Sequence, residues 1–106
     1  MNRRLIVRPE AEADITDGAL WYDSHEPGLG LELISEVQSA IVRALTNPES
    51  FTRVRSNPVV RRILTRRFPY RVFFIVRPDA IVIFAVIHAA RHDRVWKRRA
   101  EHEEPN

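Results

Sequence analysis

The 106-residue chain contains no cysteine. That absence excludes a disulfide framework, thiolate metal sites and cysteine nucleophiles together, and it fits a reducing, cytoplasmic setting. Lysine is almost missing too: of 17 cationic side chains, 16 are arginine and one is Lys97. Arginine's planar fork suits bidentate contact with carboxylate or phosphate better than lysine's point charge. Long apolar runs are also lacking. The longest, Ala80–Ile87, falls far short of a membrane span, and Leu5-Ile6-Val7 behind Arg3-Arg4 is too brief for a signal-peptide core. No membrane association is therefore expected. The chain shows no internal repeat, no low-complexity segment and no Gly-rich phosphate loop, Walker, HExxH or GxSxG element. His88 and His92 have no carboxylate motif beside them, so neither a metal site nor a cofactor is expected.

What the chain does have is charge sorted by position. Residues 1–52 carry 4 basic and 9 acidic side chains, whereas residues 53–99 carry 13 basic and only 2 acidic ones, Asp79 and Asp93. Glu101, Glu103 and Glu104 follow, and the net charge is +3. A modest total thus conceals a strongly cationic second half, which calls for an anionic target or an acidic partner. With 44% hydrophobic and 29% charged residues the composition is that of a globular protein, and the length suits one domain. The expected division is a single domain over residues 1–99 and an acidic, flexible tail over residues 100–106.

Periodicity divides the domain. Leu5–Val7 reads as a short strand. Pro9 suits the first turn of a helix, where Glu10, Glu12 and Asp14 face the positive end of its dipole. Ala11, Ile15, Ala19 and Tyr22 then recur at helical spacing as far as Ser24. The acidic residues of this helix read as a solvated face, and Trp21-Tyr22 as packing within the helix pair. His25-Glu26-Pro27-Gly28 breaks the pattern. Leu33, Val37, Ala40, Ile41, Ala44 and Leu45 form the stripe of a second helix, ended by Asn47-Pro48. So short a turn predicts an antiparallel helical hairpin.

From Val59 the period becomes two. Val59–Phe68, Tyr70–Arg77 and Ala80–His88 read as three strands, the last apolar on both faces as a central strand would be. In the middle strand Tyr70, Val72, Phe74 and Val76 share one face, and Arg71, Phe73, Ile75 and Arg77 the other. The expected fold is α+β, in the order β-α-α-β-β-β, with the helical hairpin packed on one face of a small antiparallel sheet. Two helices cover one face only, so Phe73 and Ile75 are expected on an open, partly apolar surface. Residues 88–99 read as a basic segment with one helical turn around Val95-Trp96.

Specific wording along residues 3–98 resembles the RelE/ParE toxin superfamily of type II toxin–antitoxin systems, most closely its ParE-like, plasmid-stabilisation branch. Arg8-Pro9-Glu10-Ala11 followed by Trp21-Tyr22 is similar to that family's first helix. Pro27-Gly28-Leu29-Gly30 with Asn47-Pro48 is similar to its second. Val60-Arg61-Arg62-Ile63-Leu64, Arg67-Phe68-Pro69-Tyr70 and Val86-Ile87-His88 are similar to its sheet. The resemblance implies a cytoplasmic toxin neutralised by a small wrapping antitoxin of ParD or related type, in a toxin–antitoxin hetero-oligomer. ParE-like members poison DNA gyrase; RelE-like members cut messenger RNA on the ribosome. A basic binding module that keeps only the fold is a third reading.

The residues weigh these readings. A metal-free ribonuclease needs cations for its transition state and groups that move protons. Arginines abound, but His88, with His92 and Tyr70 behind it, is the main candidate for acid–base work, and a strand-end histidine is more often bonded to backbone. RelE-like nucleases carry a Tyr or His in the C-terminal segment; this chain has Trp96 there, whose indole N–H is no general acid or base. A gyrase inhibitor without hydrolytic activity is therefore expected. Arg61, Arg67, Arg91, Arg94 and Trp96 are the candidate target contacts, Trp96 either stacking on a base or packing onto the sheet. Phe73, Ile75 and Arg71 are the candidate antitoxin contacts. Arg61 and Arg67 are preferred over Arg62 and Arg66 on the premise that Leu64 and Phe68 point at the helices.

Overall fold

The computed structural model describes residues 2–103. β1 (Arg4–Val7) leads into α1 (Pro9–His25) and α2 (Leu29–Thr46), followed by a single 3-10 turn at Pro48–Ser50. Then come β2 (Thr52–Ser56), β3 (Val59–Leu64), β4 (Tyr70–Val76), β5 (Ala80–His88) and α3 (Arg94–Glu101). The α+β architecture expected from the change of period is present, with a helical hairpin on one sheet face. The sheet has five strands in the order β1-β5-β4-β3-β2. The meander β2–β5 is antiparallel, whereas β1 runs parallel to β5, Val7 opposite Ile83. A whole hairpin and meander separate β1 from β5, so no tight turn forces them antiparallel. β2 escaped the sequence reading because an edge strand written Thr-Arg-Val-Arg-Ser carries little apolar signal.

Pro9 opens α1, with Glu10 and Glu12 in its first turn. The start of α2 is held from outside: Asp23 of α1 accepts from the Gly28 and Gly30 N–H groups at 3.1 and 2.8 Å, filling donors that a helix start leaves open. Gly30 must be glycine, since a Cβ there would lie 2.5 Å from the Ala19 carbonyl oxygen. The hairpin can close only because that atom is absent. Ala11 of α1 and Leu33, Val37, Ala40, Ile41 and Ala44 of α2 then pack on Ile63, Tyr70, Val72, Phe74, Ile81, Ile83 and Val86. Trp21, expected in this packing, is instead 57% exposed, and its ring lies against His25 at 4.0 Å between centroids. Tyr22 takes the inward position and meets Phe68 edge-on.

β4 alternates as expected, but the second face is not open. The β4–β5 register slips between Phe73 and Phe74, a bulge that puts both Phe84 and Ala85 on the side away from the hairpin. α3 covers that side. Trp96 and Ala100 bury there with Val60, Phe73, Ile75, Phe84 and Ile87, and Trp96 stacks on Phe73 at 4.7 Å between centroids. Phe73 and Ile75 are consequently 1% and 0% exposed. The expected single turn is an eight-residue helix, because its apolar residues, few as they are, fall on one side and have a sheet to bury against. The expected boundary between residues 99 and 100 falls inside α3. Ala100 is fully buried and Glu103 is ion-paired, whereas Glu101 and His102 between them are exposed. Residues 104–106 of the expected tail lie outside the described residues.

Candidate functional site

Beyond Val7, β1 stops pairing with β5, and the freed edge of β5 is met by side chains from α1 and α3. Asp14 Oδ2 accepts from the Val86 N–H at 2.9 Å. Arg99 clasps the same carboxylate at 2.6 and 3.1 Å and also donates to the Phe84 carbonyl at 3.3 Å. Arg91 adds a longer contact at 3.7 Å. Only 6% of the Asp14 side chain is exposed, so the pair stands in for the missing neighbour strand and satisfies an edge that would otherwise be open. A second clamp closes the end of α3: Glu103 accepts from Arg8 at 3.0 and 3.1 Å and from Arg77 at 3.3 Å. The hydrogen bond to Glu103 pushes the Arg8 guanidinium above its already high ordinary pKa, against the opposing effect of burial.

Between these clamps lies an open cleft of about 650 Å³. It is lined by Arg8 and Glu10 at the start of α1, by Phe84 of β5, and by Arg91, Arg94, Val95, Arg98, Arg99, His102 and Glu103 along α3 and its two ends. Five arginines around one depression concentrate positive potential well beyond what the net charge suggests. Among the described residues, no group of three or more histidine, aspartate and glutamate side chains could hold a metal ion, and no helix is long and apolar enough to cross a membrane.

The expected site residues divide into three sets. Arg91 and Arg94 line the cleft. Arg61 and Arg67 lie elsewhere. Ile63, not Leu64, faces the hairpin, and Leu64 is 56% exposed on the far side, so the strand parity is the reverse of the one assumed. Arg61 therefore points to the hairpin side and donates to the Phe51 and Glu49 carbonyls at 2.9 and 3.4 Å. Arg67 pairs with Glu32 of α2, and its N–H donates to Glu36 at 2.6 Å. The third set is enclosed. Trp96, Phe73 and Ile75 are covered by the packing of α3, Trp96 lying on the sheet, so none of the three stands on an open surface. Arg71, with 12% of its side chain exposed, is taken up by Asp93 at 2.5 Å and the Arg91 carbonyl at 2.8 Å. The same Arg71 bond holds the Asp93 carboxyl below its ordinary pKa.

The expected proton carriers stand apart from the cations, and the histidine that does line the cleft, His102, has its Nδ1 2.9 Å from the Arg98 carbonyl. His88 Nδ1 accepts from the Ala90 N–H at 3.0 Å, the backbone-bonded state expected of a strand-end histidine. Its ring meets Tyr70 edge-on at 5.4 Å. Tyr70 is 8% exposed, and burial, then Tyr22 and Asp14, raises its phenol above the ordinary value. Neither residue lines the cleft. His92 Nδ1 likewise accepts from the Arg94 N–H at 3.0 Å. The cleft residues missed in the sequence are Arg8, Arg98, Arg99, Glu103 and, behind them, Asp14. Asp14 had a signal: it shares the stripe of Ala11 and Gly18 at i, i+3, i+7, the buried side of α1.

Comparison with known proteins follows this geometry. A family model described as "ParE toxin of type II toxin-antitoxin system, parDE" matches residues 5–93. Among solved structures, "Chromosomal ParDE TA system from P. aeruginosa" superposes with a TM-score of 0.72 at 19% identity, covering 81% of this chain and 95% of that one. That likeness is one of fold. Among curated proteins nothing matches.

Proposed function

The chain belongs to the ParE toxin family of type II toxin–antitoxin systems, and from that premise we propose that it is a cytoplasmic toxin that acts on DNA gyrase without hydrolytic chemistry of its own. One observation carries this reading: the arginines that would hold a polyanionic target gather in the cleft beside α3, while the expected proton carriers His88 and Tyr70 are not among its lining residues and the histidine that is, His102, has its Nδ1 against the Arg98 carbonyl at 2.9 Å. A ribonuclease needs cation and proton carrier at one phosphate; a protein that grips a gyrase–DNA complex needs only the grip. Arg91 and Arg94, with Arg98, are the proposed target contacts.

The proposed partner is a ParD-type antitoxin forming a hetero-oligomer with the toxin. Phe73 and Ile75 are covered by α3, so the apolar anchors are sought on the exposed surface. Besides Val42 of α2, 59% exposed, the large apolar side chains free on the hairpin are Leu20, Trp21 and Leu31, exposed by 64%, 57% and 71%. They flank the point where Gly30 meets Ala19, and we assign the antitoxin contact to them.

The test is growth after induction of the toxin without antitoxin, read together with gyrase-dependent DNA damage and messenger-RNA integrity. His88→Ala is expected to remain toxic, and the Arg94→Ala, Arg98→Ala pair to lose toxicity while staying folded. If His88→Ala lowers activity by ~10²–10⁴-fold, as removal of a general acid or base does, and transcripts are cleaved, the protein is a nuclease instead.

A further inference from the structure

The cleft's charge is not uniform. Asp14 takes up Arg99, and Glu103 takes up Arg8 and Arg77. Among the described residues Arg94 and Arg98 have no carboxylate within ion-pair distance, and Arg91 keeps 52% of its side chain exposed at 3.7 Å from Asp14. These three lie at i, i+3 and i+7, on one side of α3 and its approach. Arg94 and Arg98 are one helical turn apart, about 6 Å along the axis, a spacing commensurate with successive phosphates of one nucleic-acid strand. Resting on the reading of this cleft as the target contact, we propose that Arg91, Arg94 and Arg98 seat the phosphodiester backbone of duplex DNA, so that the toxin touches the DNA of its target complex as well as the protein.

Three features favour DNA over an acidic protein surface. A protein docking site is centred on exposed apolar anchors with charge at its rim. Here the apolar lining is Phe84, 1% exposed, and half-buried Val95, while the exposed large apolar residues Leu5, Leu20, Trp21, Leu31, Val42 and Leu64 all lie outside the lining. Phosphate docking needs cations and no such anchor. The cations are all arginine, whose fork matches phosphate oxygens. Finally, the carboxylates that could repel a polyanion, Asp14 and Glu103, are each closed by arginine, leaving Glu10 as the exposed acid of the lining.

The experiment is fluorescence anisotropy of a labelled oligonucleotide duplex with the purified full chain over a salt series, run beside the toxicity assay. Three phosphate contacts predict a slope of log affinity on log salt near about −2.7, hence ~40-fold weaker binding at about 200 mM than at about 50 mM salt. Arg94→Ala and Arg98→Ala should each flatten the slope by about one and weaken all sequences alike. Arg53→Ala on β2, away from the cleft, should leave both slope and toxicity unchanged. The proposal falls if wild type fails to bind duplex, if Arg53→Ala matters as much as Arg94→Ala, or if single-stranded RNA or polyglutamate displaces the duplex at equal concentration. Toxicity lost in the arginine variants of a protein that never binds DNA leaves the target reading standing and removes this one. DNA binding lost with toxicity retained supports the DNA contact and removes the target reading.

Discussion

A carboxylate with 6% of its side chain exposed is tolerated in a protein interior only when its lone pairs are filled. Asp14 fills them from two other elements, the Val86 N–H of β5 and the Arg99 fork of α3. Asp14→Ala leaves an N–H and a guanidinium unpaired at once, and a loss of about 3–5 kcal/mol in urea unfolding is expected. Asp14→Asn keeps an acceptor for Val86 and should lose less; equal losses would show that charge alone matters. Gly18 gives a sharper case, because two effects oppose each other. Alanine in a helix interior normally gains up to about 1 kcal/mol over glycine. Here a Cβ would sit 2.7 Å from the Tyr70 hydroxyl oxygen and 3.0 Å from Leu33 Cδ2, and overpacking costs about 1–3 kcal/mol. Gly18→Ala should therefore destabilise, and Tyr70→Phe in the same chain should restore part of the loss. Burial raises the Tyr70 pKa from 10.0, so the folded state favours the protonated phenol. That contribution is intact below pH 10 and lost as pH rises through the higher folded value; Tyr70→Phe should lessen alkaline unfolding.

At the scale of the element, α3 decides most. It is a short helix that would be marginal in isolation, made stable by one stacked tryptophan and two carboxylate clamps. Trp96→Ala removes the stack on Phe73 and uncovers Ile75 and Ile87. The expected cost is about 3–5 kcal/mol, with binding of an apolar dye by the uncovered face as the second readout. The approach to α3 is held by Arg71 and Asp93. Because the Arg71 hydrogen bond lowers the Asp93 pKa below 3.8, its contribution is present above that value and lost as pH falls through the lower folded one. Trp96 fluorescence in a Trp21→Phe background should report this as acid loosening of α3, and Asp93→Asn should abolish the transition. A transition unchanged by Asp93→Asn would show that the Arg71–Asp93 pair does not govern it.

For the whole molecule, segregated charge becomes segregated surface. The acidic first half folds as β1 and the hairpin, and the basic second half supplies the other four strands and most of the cleft lining. Target and antitoxin are accordingly expected on different faces, one gripped by arginine and one by apolar anchors. Exposed Trp21 makes this measurable: its fluorescence should shift on adding antitoxin, whereas the buried Trp96 should not respond. Screening weakens exposed ion pairs as the Debye length falls to about 3 Å at about 1 M salt, but apolar contact persists. The toxin–antitoxin complex should survive that salt while DNA binding does not, checked by size-exclusion chromatography. Dissociation there would place the antitoxin on the charged cleft.

Much of this was legible in the residues alone. The change of period between Asn47 and Val59 determined helices before strands, and alternation in Tyr70–Val76 determined which side chains travel together. The arginine-rich second half determined that the proposed target surface is cationic, and the residue patterns shared with ParE-like toxins were sufficient to name the family. Alternation, however, says which residues share a face and not which face meets the helices, so Ile63 rather than Leu64 turned inward and Arg61 went with it. Composition counts arginines but cannot say which are free. Arg61, Arg67, Arg71 and Arg99 are engaged by groups 10 to 85 residues away, partnerships that exist only once the chain has folded. A basic segment of few apolar residues became a helix because a bare sheet face lay beneath it. Burial and ion pairing between distant residues, which no local pattern encodes, thus decided which part of a cationic half-chain is left to act.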